Sequence, residues 1–424
     1  MQEEIKKNVQ DKMDLFINSL INQTESFIPA WNNEGFKGRW NYIDGVFLNS
    51  IVNMYKDCKD LEKANRLKEF FINYINYYIS EEGNFISYTF DEENGFIADK
   101  TGKTGYKANE LDTVCESKIL YDAYELTKDD RYLKAIETSY NALIKMPRTN
   151  DEINFSHKTS YNGQIWLDGM YMYVPFYAKY ALLKNDYKIF DEIIEQYKNV
   201  RKHMFDEKLH LYYHGYDSYK KVFWCKEDGC SKSFWLRSTG WFLVSIVDVL
   251  ELFPEGEDKK YLISLLKEAI EGIMQYQDKE SKMFYQVVDK KNQTYLVPAK
   301  YLEGLKNVAY MKYGKYEDSY ISNYLETSGS SMIAYTLLKG SRLGYLDKKY
   351  YQIGKEIFEA IFESKLVVTE EEFKLNDICI TAGLGPVNNI IRDGSIEYYL
   401  AEPVGTNDAK GVGPFIMAYL EYIK

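Results

Sequence analysis

The chain has 424 residues, 45% of them hydrophobic, which is enough for a sizeable core and excludes global disorder. The formal charge of −11 excludes a nucleic-acid partner held by a generally basic surface, although a local cationic pocket can still take a small acidic ligand. No apolar run reaches membrane-spanning length, so no membrane partner is expected.

Helical periodicity dominates from the first residues onward. The N-terminal "MQEEIKKNVQDKMDLFINSL" reads as a charged amphipathic helix, with neither the apolar stretch nor the cleavage site of a secretion signal. In chain order the pattern predicts helices over 2–22, 42–57, 60–80, 109–127, 129–146, 165–184, 186–203, 233–253, 257–277, 325–343, 346–365 and 408–423. Thr127 to Asp130 marks one hairpin turn, and Pro254 with Gly256 ends another helix. The segments 109–127, 165–184, 233–253, 325–343 and 408–423 are apolar nearly all round, whereas 60–80, 129–146 and 257–277 carry charged faces. Helices of the first kind are buried and those of the second face solvent. Six hairpins built this way predict an all-α toroid, an inner ring inside an outer one, as a single domain over 1–424. Two stretches break the rhythm. Residues 285–324 read as a long insertion, and 367–403, with "LVVTEEEFKLNDICITAGLG" and "SIEYYLAEPV", alternate like short strands over one mouth.

The five cysteines, Cys58, Cys115, Cys225, Cys230 and Cys379, are scattered. Cys225 and Cys230 are close, but no second Cys pair or His pair completes a zinc pattern, so the expectation is reduced thiols in a cytoplasmic protein and no metal. Gly102 and Gly105 lack the strand before and the helix after that a dinucleotide site needs. P-loop, nucleophile-elbow and HExxH patterns are absent.

Chemistry-bearing residues gather where the inner helices start. "GRWNYIDGV" carries Trp40, Tyr42 and Asp44, and "NELDTVCES" carries Asp112. "HKTSYNGQIWLDG" carries His157, Lys158, Trp166 and Asp168, and "SFWLRSTGW" carries Trp235, Arg237 and Trp241. "NYLETSGSS" holds Glu326 and Ser328, and "TNDAKGVGP" holds Asn407, Asp408 and Lys410. Alternation in hairpins makes the inner helices parallel, so these starts meet at one end, where free N–H groups suit an anion. Each residue also has a plainer reading. Asp112 or Glu326 alone reads as a helix cap, Arg237 as a neutraliser of a carboxylate, and His157 and His214 as surface residues. Convergence favours a site. Paired carboxylates are what glycosidic chemistry requires, and cationic side chains can bind a uronate. The 40 Tyr, 22 Phe and 6 Trp suit either an aromatic core or a cleft of ring faces, and composition alone does not separate the two.

These motifs resemble those of the unsaturated glycuronyl hydrolases, glycoside hydrolase family 105 and its relative family 88. The likeness runs through "ELDTVCES", "HK", "WLDGMYM", "YYHGYD", "FWLRSTGWFLVSIVDVLE", "NYLETSGSSMIAYTLLKGSRLGYL" and "NDAKGVGPFIMAYLE". It implies an (α/α)6 barrel that needs no metal or organic cofactor. The reaction it implies is hydration of the double bond in a terminal 4,5-unsaturated uronic acid. The implied substrate is a small anionic oligosaccharide, above all unsaturated galacturonyl-rhamnose from rhamnogalacturonan, and the protein would be a monomer or homodimer. By this resemblance Asp168 is the general acid/base and Asp112 the second carboxylate. His157, His214, Arg237 and Trp241 line the sugar, with Lys158, Trp166 and Tyr42 as further contacts. Asp168 would need a raised pKa, supplied by the apolar helix, Trp166 and Asp112. The fourth motif departs from the family's R-x-N-G-W, because Thr239 stands where the Asn would be and removes one polar contact. Other readings stay open: an unsaturated glucuronyl hydrolase acting on glycosaminoglycan or ulvan, a sugar epimerase using His157 and His214, and a sugar-binding toroid without catalysis.

Overall fold

Apolar side chains recur every three or four residues along the first helix, α1 (Gln2–Asn22), which buries Val9, Met13, Phe16, Ile17 and Leu20 on one face. The computed structural model describes residues 2–24, 29–33, 38–91, 95–99, 106–305, 317–386 and 389–424. Gly102, Gly105 and the stretch 306–316 of the insertion therefore lie outside the described residues.

Next come α2 (Tyr42–Asp57) and α3 (Leu61–Asn76). Asn41 and Asp60 start them by accepting hydrogen bonds from backbone N–H groups of the first turns. The helix expected over 109–127 is broken into α4 (Leu111–Ser117) and α5 (Ile119–Thr127) at Lys118, whose N–H turns to the Cys115 carbonyl at 3.4 Å. α6 (Arg131–Leu143), α7 (Gly169–Lys184), α8 (Lys188–Met204), α9 (Leu236–Val249) and α10 (Glu257–Met274) follow. After them come the short α11 (Ala299–Leu305), then α12 (Thr327–Arg342) and α13 (Lys349–Ser364), the short α14 (Ile396–Ala401) and α15 (Ala409–Ile423).

The inner ring closes on itself. α2 packs on α4, α4 on α7, α7 on α9, α9 on α12, α12 on α15, and α15 returns to α2. Outside it, α3, α6, α8, α10 and α13 each lay one apolar stripe on the partner helix. In α8 that stripe is Ile189, Phe190, Ile193, Ile194, Tyr197 and Val200. α1 takes the remaining outer place, tied to α3 by the 2.6 Å Asp14–Lys63 ion pair and packed on the strands after α13. This is the (α/α)6 barrel expected from the alternation of buried and amphipathic helices. Among the described residues no helix is long and apolar enough to cross a membrane.

Two expectations are corrected. The helix placed over 165–184 begins at Gly169, because Gln164–Trp166 is a strand paired antiparallel with Gly215–Asp217. Gly163, at φ +82, makes the left-handed turn into that strand. The alternating "SIEYYLAEPV" is not a strand, because Ser395 caps the Tyr398 N–H and 396–401 form α14. Tyr398 and Tyr399 are adjacent and both fully buried, which two faces of a helix allow and a half-exposed strand does not. Short strands do occupy 366–368, 373–375 and 378–379. Within the insertion, Thr294–Val297 pairs with Ser319–Ser322.

Candidate active site

The carboxylates at the inner helix starts divide by what they bond. Glu326 caps α12, accepting from the N–H groups of Ser328 and Gly329 and also from that of Cys379. Asp408 caps α15 through the Lys410 N–H and lies 2.8 Å from Lys410 Nζ. Asp44 is buried and accepts from Trp31 Nε1 and Asn41 Nδ2. Asp168 stands at the start of α7 and its side chain caps nothing.

The segment before α7 is held against α4 by backbone bonds: Leu111 N–H donates to the His157 carbonyl at 3.0 Å, and Glu110 bridges Lys158. That pairing places Asp112, in the first turn of α4, 3.3 Å from His157 Nε2 and 3.2 Å from Lys158 Nζ. Burial pushes the Asp112 carboxyl up, but Lys158 and His157 outweigh it and hold the group ionised, far below the usual carboxylate range. Lys158 is pushed down by burial and raised more strongly by Asp112 and Glu110.

Asp168 Oδ1 faces His214 Nε2 at 3.3 Å. Trp166 joins the two halves of the site. His157 stacks on its face at 4.3 Å, and the His214 ring lies edge-on to it at 5.7 Å. Tyr161 stacks near Trp166 at 5.2 Å. Gly169 follows Asp168 because a Cβ there would stand 3.1 Å from His157 Nδ1. His157 Nδ1, Asp168 Oδ1 and His214 Nε2 are buried with no aligned hydrogen-bond partner. Unsatisfied polar atoms are costly inside a protein, so their convergence marks the place where a polar ligand completes the network.

Asp168 does not carry the raised pKa expected of it. Burial pushes the carboxyl up, but the close His214 and, further off, His157 outweigh both burial and Asp112, and the net direction is down. His214 is fully buried, and burial lowers it despite Asp168. Its other nitrogen, Nδ1, is 2.5 Å from the Tyr399 hydroxyl. Burial raises Tyr399 well above the usual phenol range, so the phenol stays protonated. The ionised Asp168 carboxylate can only accept, so it sets the imidazole proton on Nε2 and leaves Nδ1 to accept from the Tyr399 hydroxyl.

The structure thus brings together Asp112, His157, Lys158, Trp166, Asp168 and His214. Tyr42 lines an adjoining cleft with Asp112 and Lys158, its ring 5.7 Å from Lys410 Nζ. The two histidines that could have been surface residues are 2% and 0% exposed. Arg237 is turned otherwise than expected: it lies over the Trp235 ring at 4.7 Å and donates to the carbonyls of Cys379 and Ile380, so it anchors the wall rather than presenting a free guanidinium. Trp241 sits one helical turn further in, stacked on Tyr171 at 4.2 Å. Tyr399 is the residue that sequence reasoning missed. It lies in the excursion read as strands, and no local signal distinguishes it from the chain's other tyrosines.

The profile of Glycosyl Hydrolase Family 88 matches residues 14–298 and 315–424. The chain is 33% identical to a family 105 glycoside hydrolase from C. acetobutylicum ATCC 824, over 97% of this chain and 98% of that one, with a TM-score of 0.79. It is 31% identical over 256 residues to Protein Atu3128 of Agrobacterium fabrum, covering 59% of this chain and 97% of that protein. An unsaturated glucuronyl hydrolase specific for heparin shares the fold, at a TM-score of 0.62 and 13% identity over 100% of this chain and 97% of that one.

Proposed function

The chain belongs to glycosyl hydrolase family 88, and from that premise we propose that this glycosidase removes a terminal 4,5-unsaturated uronic acid from a lyase-generated oligosaccharide. The substrate we propose is unsaturated galacturonyl-rhamnose from rhamnogalacturonan. Its support is the 33% identity with the family 105 structure, against 13% with the heparin-specific enzyme. The observation that carries the reaction is Asp168, a buried carboxylate that caps no helix, facing His214 beside Asp112.

The chemistry follows from an enol ether conjugated to a carboxylate. Asp168 in its acid form protonates C4, and the cation develops at C5. Water adds at C5 while the Asp168 carboxylate takes its proton. The hemiketal so formed opens and releases the neighbouring sugar. In the ligand-free protein Asp168 is held low by His214, so the proton arrives with substrate. The substrate's own carboxylate brings negative charge beside Asp168 and favours the protonated form. Asp112, pinned by His157 and Lys158, stays ionised and accepts hydrogen bonds from ring hydroxyls.

A panel of lyase-generated unsaturated disaccharides, followed by loss of the ultraviolet absorbance of the conjugated uronate, tests this. Turnover of the galacturonyl-rhamnose member ahead of the glucuronyl members is expected. Consumption of substrate with the absorbance intact would overturn the hydration.

A further inference from the structure

The hairpin within the insertion buries one of its two faces. Tyr295, Val297 and Ile321 pack against α14 in a small second core that also holds Trp235 and Tyr399. On the opposite face Leu296 and Tyr320, paired across the strands, are exposed. Alternation along the strands thus turns the hairpin toward the helix that carries Tyr399. That helix has six residues, and isolated helices shorter than about 12–15 residues are marginal, so α14 relies on what it packs against.

The joint between insertion and helix is polar and directed. The Tyr301 hydroxyl, on α11, donates to Asp393 Oδ2 at 3.1 Å and accepts from the Ser395 hydroxyl at 3.2 Å. The Ser395 oxygen in turn accepts the Tyr398 N–H at 3.2 Å, the bond that starts α14. Asp393 also takes the Ser395 N–H at 3.0 Å and lies 3.5 Å from Lys232 Nζ. Each of the two hydroxyls gives its one proton and receives another, so the chain of bonds runs one way. Tyr399 follows one turn later. Its N–H donates to the Ser395 carbonyl at 3.2 Å, its ring is stacked near Trp235 at 6.1 Å, and its hydroxyl meets His214 Nδ1.

A hydrogen bond weakens steeply away from its best distance and angle, and a misplacement of about 1 Å can cost about 10²-fold in rate. The start of α14 therefore governs how well the phenol meets the imidazole. We infer that the insertion is a buttress for the His214–Tyr399 pair and that Tyr301 is its positioning residue, holding Asp393 and Ser395 so that α14 keeps the phenol on Nδ1. The inference rests on the reaction proposed above, in which His214 faces Asp168.

The test compares Tyr301→Phe, Tyr399→Phe and the double variant on an unsaturated disaccharide that the native protein turns over. Tyr301→Phe should lower kcat about threefold to tenfold with KM little changed, the effect of one lost hydrogen bond. The double variant should be no slower than Tyr399→Phe alone, because the two residues act through one contact. Asp393→Ala breaks the same joint and should reproduce Tyr301→Phe. Imidazole nitrogen resonances of labelled histidine give a reading that needs no turnover. Tyr399→Phe identifies the His214 Nδ1 signal, and Tyr301→Phe should move it the same way by less. An unchanged kcat in Tyr301→Phe and Asp393→Ala, losses that multiply in the double variant, or an unmoved His214 signal overturns the buttress and leaves the reaction standing. A native protein that turns over none of the unsaturated disaccharides overturns the reaction instead, and the His214 signal still decides the buttress.

Discussion

The Tyr399 hydroxyl lies 2.5 Å from Nδ1 of His214, and the opposite nitrogen of that imidazole lies 3.3 Å from Asp168. The buried phenol thereby supplies the donor that the Nε2–H tautomer requires at Nδ1. Tyr399→Phe removes the donor and leaves Nδ1 unsatisfied. We expect kcat to fall about tenfold or more with KM little changed, since a buried unsatisfied group costs about 1–3 kcal/mol. Steady-state kinetics on the unsaturated disaccharide checks this, and an unchanged kcat would remove Tyr399 from the relay.

Asp168→Asn should lower turnover by about 10²–10⁴-fold, the usual range for loss of a general acid or base. The variant should remain folded, because the Asp168 side chain caps no helix. Thermal unfolding beside the kinetics separates the two effects. A fully active, folded variant would refute the assignment.

The pH dependence should report the proton that substrate brings. Activity needs Asp168 protonated, and His214 holds it low in the free protein. The profile of kcat/KM reflects the free protein and that of kcat the complex. The decline of kcat/KM with rising pH should therefore set in at lower pH than the decline of kcat. Superposed limbs would contradict binding-linked protonation.

Asp44 offers a stability test remote from the chemistry. Burial raises its carboxyl from 3.8 to about 6, and its charge in turn helps to raise the buried Glu116. A folded-state pKa above the unfolded one means stability present at low pH and lost as pH rises through the window from about 4 to about 6. The loss amounts to ~3 kcal/mol. Asp44→Asn removes the titration, so its stability relative to the native chain should improve between pH 5 and pH 8 by about half that amount, the other half being lost already below pH 5. Denaturant midpoints at both pH values measure it, and a difference independent of pH would count against the shift.

Much of this was legible from local pattern. The three-to-four-residue spacing in α8 and the all-round apolarity of α7 told buried helices from half-exposed ones, and hairpin alternation then placed the inner starts at one end. Asp112, His157, Lys158, Trp166 and Asp168 stand at those starts, the family resemblance adds His214, and the six do converge. Caps and free carboxylates look alike in sequence, however. Glu326 and Asp168 occupy comparable starts, and only the bonds to Ser328, Gly329 and Cys379 show that the first is consumed as a cap.

Side-chain periodicity is a property of neighbours along the chain, so the sequence by itself determined the ring of helices and which residue types crowd its rim. The protonation of Asp168, the anchoring of Arg237 to 379–380 and the tautomer of His214 depend on groups that approach only through folding. Tyr399 and His214 stand 185 positions apart. Charge and hydrogen bonding act through space over a few ångströms, so those features belong to the tertiary structure alone.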